Sequence, residues 1–406
     1  MKKMSKKAIL TLIAMVMIIS TALVGCSSTK NEGTDASANS GAKTKIGVLI
    51  YDPTDSQVVA FQKYYQQYIE KNFNVEFKFS SAVSSAEEEK SAIENFALQG
   101  AKGIIALTQA DMVAAINQAA AAKMYYIVGV GTMTDEQYEA TKDNKYFIGT
   151  IGPDLTSEEK AGYDMAKSYI AQGYTNYVIY AGGLSYGVEA HVKRYEGMVK
   201  AFEEAGAVYE GKQGGLGKFT SDKYKITFLE GFPDDAGAFY TEAAQKLGEP
   251  NVEVLLTVGI GLEVFGATIA KANPDIKLAT IASFTDAYRG GFDADPQQID
   301  FLAGTFSSMI GPSFAAVMNA INGDGDSFRD NGQAFRISQN YWNATDKDTF
   351  YEMYKYANDF DNPVFNAEDL KSVIKADNSE ANLDSFKELA ENVEFSAIKE
   401  RLAKRQ

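Results

Sequence analysis

Short apolar runs alternate with longer helical stretches from residue 44 to residue 282, and this alternation constrains the fold more than any other feature of the chain. Runs of consecutive apolar residues predict strands buried on both faces, whereas apolar residues at every third or fourth position predict helices. Strands and helices in alternation build a parallel sheet that helices cover on both faces, so the sequence predicts an α/β fold. The predicted strands are Lys45–Tyr51, Val75–Phe79, Gly103–Leu107, Tyr125–Val130, Tyr146–Thr150, Tyr177–Ala181, Val254–Val258 and Leu278–Ala282, and the predicted helices are Val58–Lys71, Ala86–Gln99, Asp111–Ala122, Ser157–Ala171, His191–Ala205, Ala236–Lys246 and Leu262–Ala272.

The N-terminus has the pattern of a secretory signal. Lysines at positions 2, 3, 6 and 7 precede an apolar run from Ala8 to Val24, which supplies the charged and apolar regions of such a signal. The run ends in Leu23-Val24-Gly25-Cys26, which resembles a lipobox, where a diacylglyceryl group is placed on the cysteine before cleavage ahead of it. A transmembrane anchor with an incidental cysteine is the alternative, but the run is shorter than the roughly 20 residues that a spanning helix needs. We therefore expect a signal peptide over residues 1–25 and lipidation at Cys26.

The segment after the cysteine predicts a flexible tether. Residues 26–43 are rich in Ser, Thr, Ala, Gly and Asn, a composition typical of flexible linkers. Roughly 360 residues follow, which exceeds a usual single-domain core and favours two domains. We expect no further membrane-spanning segment in this body, because no later apolar run approaches spanning length.

Charge and residue counts exclude several classes of function. The formal net charge is −15, and loss of the lysine-rich signal makes the remainder more acidic. This balance argues against binding of nucleic acid or electrostatic attachment to anionic lipid. Cys26 is the only cysteine and His191 the only histidine, so an internal disulfide is impossible and a zinc site of the usual Cys/His type lacks ligands. We expect neither a metal nor another cofactor.

Several segments together resemble a known family. In order along the chain, they match the type 1 periplasmic-binding-protein fold, particularly its galactose- and ribose-binding members, over most of residues 44–321. The Arg194-to-Gly197 step belongs to the helix of the second domain in this resemblance. The matching segments are KIGVLIYDPTDSQVVAFQKYYQQYIE, EEEKSAIENFALQGAKGIIAL, SYGVEAHVKRYEGMVKAF, VFGATIAKA and LAGTFSSMIGPSFAAVMNAI.

The resemblance implies two similar, doubly wound parallel-sheet lobes that are joined by three crossovers and hold a solute between them. The crossovers are expected near Gly152, near Ser307 and around residues 331–337. The first lobe would then comprise residues 44–152 plus 307–332, and the second lobe residues 153–306 plus 333–406. We expect the helical tail after residue 343 to pack on the second lobe.

The family's binding positions transfer to this chain only in part. Asp55 falls where sugar-binding members place an acid for sugar hydroxyls, and Arg194 matches an arginine that binds ring and anomeric oxygens. An aromatic residue that stacks on the sugar falls at Gln57, so Tyr51 or Tyr186 is expected to replace it. Polar family positions fall at Ala106, near Ile260 or Gly261, at Thr285 (next to Asp286) and at Ser308. These replacements argue against a plain galactose or ribose site, because unpaired sugar hydroxyls cost roughly 1 to 3 kcal/mol each.

Each candidate has a structural alternative. Asp55 lies just before a predicted helix and is also suited to an N-cap, and Arg194 is equally suited to an ion pair. Thr108 and Gln109 follow a predicted strand, where ligands of parallel sheets bind, but such rims are mostly solvated. His191 lies one helical turn before Arg194 and faces either the cleft or water.

Two other motifs suggest different chemistry. Gly183-Leu184-Ser185-Tyr186-Gly187 satisfies the G-x-S-x-G pattern of a hydrolase nucleophile between a strand and a helix. The only histidine, His191, lies on the helix that this motif opens and cannot reach the serine from a separate loop, so a catalytic base is missing.

The loop from Asn322 to Asp330 spaces oxygen ligands at alternate positions, yet it lacks the glycine and the closing glutamate of a calcium loop. We interpret it as a solvated turn.

These observations predict a non-enzymatic, monomeric solute-binding lipoprotein on the outer face of the cytoplasmic membrane. Its partners would be a small polar solute, a sugar or glycoside, and the permease of an ABC importer. Two alternatives remain open from the sequence: a ligand-sensing receptor that signals to a chemoreceptor or sensor kinase, and, more remotely, a serine hydrolase that uses Ser185.

Overall fold

The computed structural model of the chain describes residues 41–108, 110–184, 188–212, 215–232 and 237–405. The signal peptide, Cys26 and most of the tether lie outside these residues, as do Gln109 and the Ser185, Tyr186 and Gly187 positions of the hydrolase motif. Within the described ranges, none of the helices combines the length and the apolar character needed to cross a membrane.

The first lobe is built on a six-stranded sheet with strand order β13-β5-β4-β3-β1-β2 and parallel pairing throughout. Strands β3 and β5 are buried along their whole length, which explains why they read as continuous apolar runs in the sequence. The strands are β1 (Thr44–Ile50), β2 (Val75–Ala82), β3 (Gly103–Ala106), β4 (Tyr125–Val128), β5 (Phe147–Gly152) and, late in the chain, β13 (Phe335–Ser338).

The second lobe repeats this architecture around a second six-stranded sheet. Its strand order is β14-β12-β11-β10-β6-β9, and only the edge strand β14 runs antiparallel. Between β6 and β9 in the sequence, β7 (Val208–Glu210) and β8 (Lys218–Thr220) form a separate antiparallel pair. The sheet contains β6 (Asn176–Tyr180), β9 (Lys225–Leu229), β10 (Val254–Thr257), β11 (Lys277–Ser283), β12 (Ile299–Thr305) and β14 (Trp342–Ala344). The predicted α/β class with two similar lobes is confirmed.

Helices connect the strands, and several begin at a side chain that accepts a hydrogen bond from the first turn. Examples are Ser85, Asp111 and Asp154, residue types that satisfy otherwise unpaired N–H groups at helix starts. The helices are α1 (Ser56–Lys63), which continues as a π-helix (Tyr64–Ile69) into α2 (Glu70–Asn72), α3 (Ala86–Leu98), α4 (Met112–Ala121), α5 (Asp135–Thr141), α6 (Leu155–Ala171), α7 (Glu189–Glu204), α8 (Ala238–Leu247), α9 (Gly261–Ala272), α10 (Asp286–Asp293), α11 (Gly311–Ile321), α12 (Lys347–Ala357), α13 (Ala367–Val373), α14 (Leu383–Glu391) and α15 (Phe395–Ala403), with a 3₁₀ turn at Gly325–Phe328.

The position of the third crossover corrects the prediction. Residues 333–338 were assigned to the second lobe, but β13 pairs in parallel with β5 of the first sheet. Its buried residues, Phe335 and Ile337, alternate with more exposed ones, as expected for an edge strand. The chain therefore passes to the second lobe only over residues 339–341, between β13 and β14.

The C-terminal tail packs on both lobes, which corrects the expectation that it packs on the second alone. In the second lobe, Tyr351 of α12 donates to Asp293 at 2.5 Å. In the first lobe, Tyr64 donates to the carbonyl of Phe365 at 2.7 Å. The amide of Asn319 donates to the carbonyl of Val373 at 2.9 Å. The tail thus crosses the junction between the lobes, and its burial explains the many apolar residues after position 343.

Helices α6 and α7 of the second lobe cross at two glycines. A Cβ atom on Gly162 would lie 1.9 Å from the carbonyl oxygen of Arg194, and one on Gly197 would lie 1.9 Å from that of Glu159. No side chain fits at such distances, so both residues must lack a Cβ for the helices to approach. This contact gives a physical reason for the glycine three residues after Arg194.

Replacing Gly197 by alanine is expected to destabilise the protein, because the backbones of α6 and α7 must separate. Overpacking of this kind costs about 1 to 3 kcal/mol or more. Gly290→Ala is the matched control, since Gly290 is also helical and no described heavy atom lies within 4 Å of its Cβ position; it should be neutral or stabilise by up to about 1 kcal/mol. Urea unfolding of both variants checks the expectation, and equal stabilities would contradict it.

Candidate functional site

The candidate site lies where the carboxyl ends of the strands in both sheets meet, because ligands of open α/β sheets bind beyond those ends. In the first lobe, Asp55 follows β1 and caps α1: its Oδ1 accepts hydrogen bonds from the backbone N–H of Gln57 at 2.8 Å and of Val58 at 3.1 Å. Tyr51 donates to the same oxygen at 2.7 Å. The helix-cap alternative for Asp55 is therefore realised, and the bonds fix its carboxylate at the rim of the sheet.

Gln57 joins the two lobes directly. Its Nε2 donates to Oγ1 of Thr305, at the carboxyl end of β12, over 2.7 Å, and its Oε1 accepts from Tyr51 at 3.2 Å. Thr305 in turn shares a 2.5 Å hydrogen bond with Ser283 at the end of β11. The residue that stands in place of the family's stacking aromatic thus makes a polar contact across the lobes.

Glu263 is a residue of this region that the sequence analysis did not identify. It lies in the first turn of α9, and its Oε2 accepts a 2.5 Å hydrogen bond from the buried Tyr288. Partial burial raises the pKa of Glu263, and the nearby negative charge of Asp55 raises it further. Acids from opposite lobes therefore interact here, which no sequence pattern could reveal because the two residues lie far apart in the chain.

Arg194 is held by a buried network in the second lobe. Its Nε and Nη2 donate to the two carboxylate oxygens of Glu158 at 2.5 and 3.0 Å. Nη1 donates to the carbonyl of Val258 at 2.6 Å, and Nη2 also donates to Tyr341 at 2.9 Å. Burial opposes the charge on the guanidinium, but Glu158 and Tyr341 outweigh it and raise the pKa of Arg194. The ion-pair alternative is realised, and four of the five N–H groups are engaged.

His191 lies over the carboxyl ends of β6 and β10. Its Nδ1 accepts a hydrogen bond from the backbone N–H of Gly183 at 3.0 Å, and its Nε2 is the heavy atom nearest the Cβ position of Gly259, at 3.6 Å. Burial, followed by the positive charge of Arg194, lowers the pKa of His191 to about 3. The ring is therefore neutral at physiological pH, and its proton must be on Nε2 because Nδ1 is an acceptor.

Two large apolar side chains are exposed after the neighbouring strands of this sheet. Phe232, which follows β9, is 43% exposed, and its ring centroid lies 6.1 Å from that of His191. Ile260, which follows β10, is 45% exposed. Phe232 was not predicted from the sequence, although an aromatic residue shortly after a strand is a usable signal once β9 is recognised.

The remaining predicted residues are not brought to one place. Ser308 is buried, and its hydroxyl accepts from the backbone N–H of Phe365 in the tail at 3.3 Å, which corrects its assignment to the solute site. Asp286 is exposed, forms an ion pair with Arg289 at 3.2 Å and accepts from Tyr354. Thr108 follows β3 and is partly buried. Gln109 and Tyr186 lie outside the described residues.

The low pKa of His191 predicts an acid-dependent loss of stability. The unfolded chain binds a proton at this residue near pH 6.5, whereas the folded protein binds it only near pH 3. The neutral, buried His191 therefore contributes its full stabilisation of the folded state above about pH 6.5, and this contribution is lost as the pH falls towards 3. Over that range the folding equilibrium constant decreases by up to about tenfold per pH unit. His191→Asn keeps an acceptor for Gly183 but cannot titrate. Urea unfolding from about pH 7 to pH 4.5 should show a steeper decline for the wild type, and parallel curves would refute this account.

Comparisons with known proteins find the same architecture in many solved structures. A carbohydrate transporter from Acidothermus cellulolyticus, in complex with myo-inositol, is 18% identical, with a TM-score of 0.58 over 78% of this chain and 99% of its own. An ABC transporter periplasmic solute-binding protein from Actinobacillus succinogenes, with bound D-allose, is 16% identical, with a TM-score of 0.58 over 76% of this chain and 100% of its own. An ABC transporter solute-binding protein from Bacillus halodurans, with bound myo-inositol, is 17% identical, with a TM-score of 0.55 over 79% of this chain and 99% of its own.

The other comparisons return nothing: no family model matches the chain, and no curated protein matches it. At identities below 20%, the structural likeness establishes the fold but not the ligand. The chain has the two-lobed α/β fold of the type 1 periplasmic binding proteins.

Proposed function

We propose that this chain is an extracytoplasmic solute-binding lipoprotein that holds a sugar or glycoside between its lobes and delivers it to an ABC permease. The observation that carries the proposal is the chemistry of the rims. In the second lobe, the exposed ring of Phe232 lies beside His191, and Arg194 keeps one N–H without a partner among the described groups. The first lobe presents the carboxylate of Asp55.

A sugar suits this combination of groups. Its C–H faces pack on an aromatic ring, its hydroxyl and ring oxygens accept from N–H groups, and its hydroxyl hydrogens donate to a carboxylate. The three structural neighbours described above were solved with a hexose or an inositol bound, which supports the same class of solute here. Because donors and acceptors come from different lobes, both sets are satisfied only in the closed form.

A catalytic role is not part of the proposal. The nucleophile of the G-x-S-x-G motif would need a base, and His191 is the only histidine. Its Nδ1 already accepts from Gly183, so the other nitrogen carries a proton. An imidazole in that state cannot take a proton from Ser185.

A solute should stabilise the protein without its tether in a thermal-shift screen of sugars, inositols, glycosides, nucleosides and amino acids. At about a hundred times its dissociation constant it adds about 2.7 kcal/mol. Asp55→Asn should then weaken binding by roughly tenfold, because asparagine still caps the helix but its amide accepts weaker hydrogen bonds than a carboxylate. Asp346→Asn, at the remote cap of α12, is the matched control. Stabilisation by amino acids alone would exclude a sugar receptor, and equal affinity in the Asp55 variant would exclude that contact.

The lipid anchor rests on the residues around Cys26 and is tested separately. Labelled palmitate should be incorporated into the full-length wild-type chain in a bacterial host and should be absent from Cys26→Ser, because the serine oxygen cannot form the thioether. Detergent partitioning provides a second measurement of the same change. Label that persists in the variant would show that the anchor is elsewhere or that this sequence is not a lipobox.

A further inference from the structure

His191 occupies the crevice above the second sheet. Its ring lies between two loops. In the loop after β6, Gly183 donates to Nδ1; in the loop after β10, the Cβ position of Gly259 lies 3.6 Å from Nε2. These two strands are parallel neighbours in the sheet. The side chain is thus placed where ligands of this architecture bind.

The hydrogen bond from Gly183 determines which ring nitrogen of His191 can donate to a solute. A backbone N–H can only donate, so Nδ1 must be the unprotonated nitrogen and Nε2 must carry the hydrogen. Nε2 has no hydrogen-bond partner among the side chains and backbone groups that the structure describes. Structural support of the β6 loop therefore uses one nitrogen of His191 and leaves a donor of fixed orientation on the other.

Arg194 lies one helical turn further along α7, on the same face of the helix. Its remaining N–H is on Nη1, the nitrogen that binds the carbonyl of Val258. Val258 and Gly259 are consecutive residues, so Nη1 of Arg194 and Nε2 of His191 lie at the same end of β10. Two oxygens on adjacent carbons of a sugar ring can accept from two such neighbouring donors.

We propose that the Nε2–H of His191 is a solute-binding donor that acts together with the remaining N–H of Arg194 and selects for neighbouring oxygen acceptors on the solute. This inference rests on the proposed function, since it assigns a further specificity-determining residue to the same site. The group is neutral, because burial and the charge of Arg194 disfavour its protonated form. It therefore recognises hydroxyl and ring oxygens without attracting an anionic group.

Two substitutions separate this role from structural support. His191→Asn retains an acceptor near the position of Nδ1, so it keeps the bond from Gly183 but loses the Nε2 donor. His191→Gln places an amide N–H near the position of Nε2, so it keeps the donor but loses the acceptor for Gly183. The asparagine variant should therefore be the more stable of the two, and the glutamine variant should bind the solute more tightly.

The measurement is isothermal titration calorimetry with the sugar or glycoside that the thermal-shift screen identifies, together with urea unfolding of each variant. We expect His191→Asn to retain most of its stability but to bind roughly three- to tenfold more weakly, as expected for loss of one hydrogen bond. We expect His191→Gln to be the less stable variant but to bind within about twofold of the wild type.

Equal affinity of His191→Asn and the wild type overturns the inference, since the donor is then not used. Losses of affinity that follow the losses of stability in both variants also overturn it, because they indicate structural support alone. A screen in which no sugar or glycoside binds the wild type defeats the proposed function itself. Failure of the inference alone requires a sugar that binds the wild type, so the two failures are distinguishable.

Discussion

The buried ion pair between Glu158 and Arg194 is the interaction on which the second lobe depends. It joins α6 to α7, and the further bonds of Arg194 reach β10 through Val258 and the third crossover through Tyr341. Both charges lie in protein, so removal of either partner would leave an uncompensated charge, which is far more costly than the net contribution of the pair. The two glycines at the crossing of α6 and α7 allow this ion pair to form, because only close backbones bring Glu158 within reach of Arg194.

Two features would constrain any movement of the lobes relative to each other. Gln57 contacts Thr305 across the lobes at the rim, and the tail contacts α10 of the second lobe through Tyr351 and the π-helix of the first lobe through Phe365. Any separation of the lobes at the rim would break the hydrogen bond between Gln57 and Thr305. The connection between α12 and α13, which carries Phe365, must adapt to any change in the angle between the lobes. Since the tail is buried against both, we infer that it limits the amplitude of the motion.

The sequence predicted the order of strands and helices well, because hydrophobic periodicity is local and strands buried on both faces are conspicuous. The predicted strands did not include β7, β8, β9, β12, β13 or β14, most of which are short runs that mix polar and apolar residues. The assignment of Asp55 and Arg194 to a solute site stays a prediction. How many of the N–H groups of Arg194 are free depends on Glu158 and Tyr341, which are 36 and 147 residues away from it in the chain. Contacts of that kind follow from the tertiary fold and have no local pattern.

The charge balance of the crevice favours a neutral solute under the proposed function. Glu158 compensates the charge of Arg194, and His191 is uncharged at physiological pH, so the donors of the second lobe carry little net positive charge. Asp55 and Glu263 come from opposite lobes; burial raises the pKa of Glu263, and the charge of Asp55 raises it further. An anionic solute such as a sugar acid would be repelled by these carboxylates and would find no uncompensated cation among these residues. A polyhydroxylated neutral molecule satisfies both the donors and the carboxylates without burying a new charge.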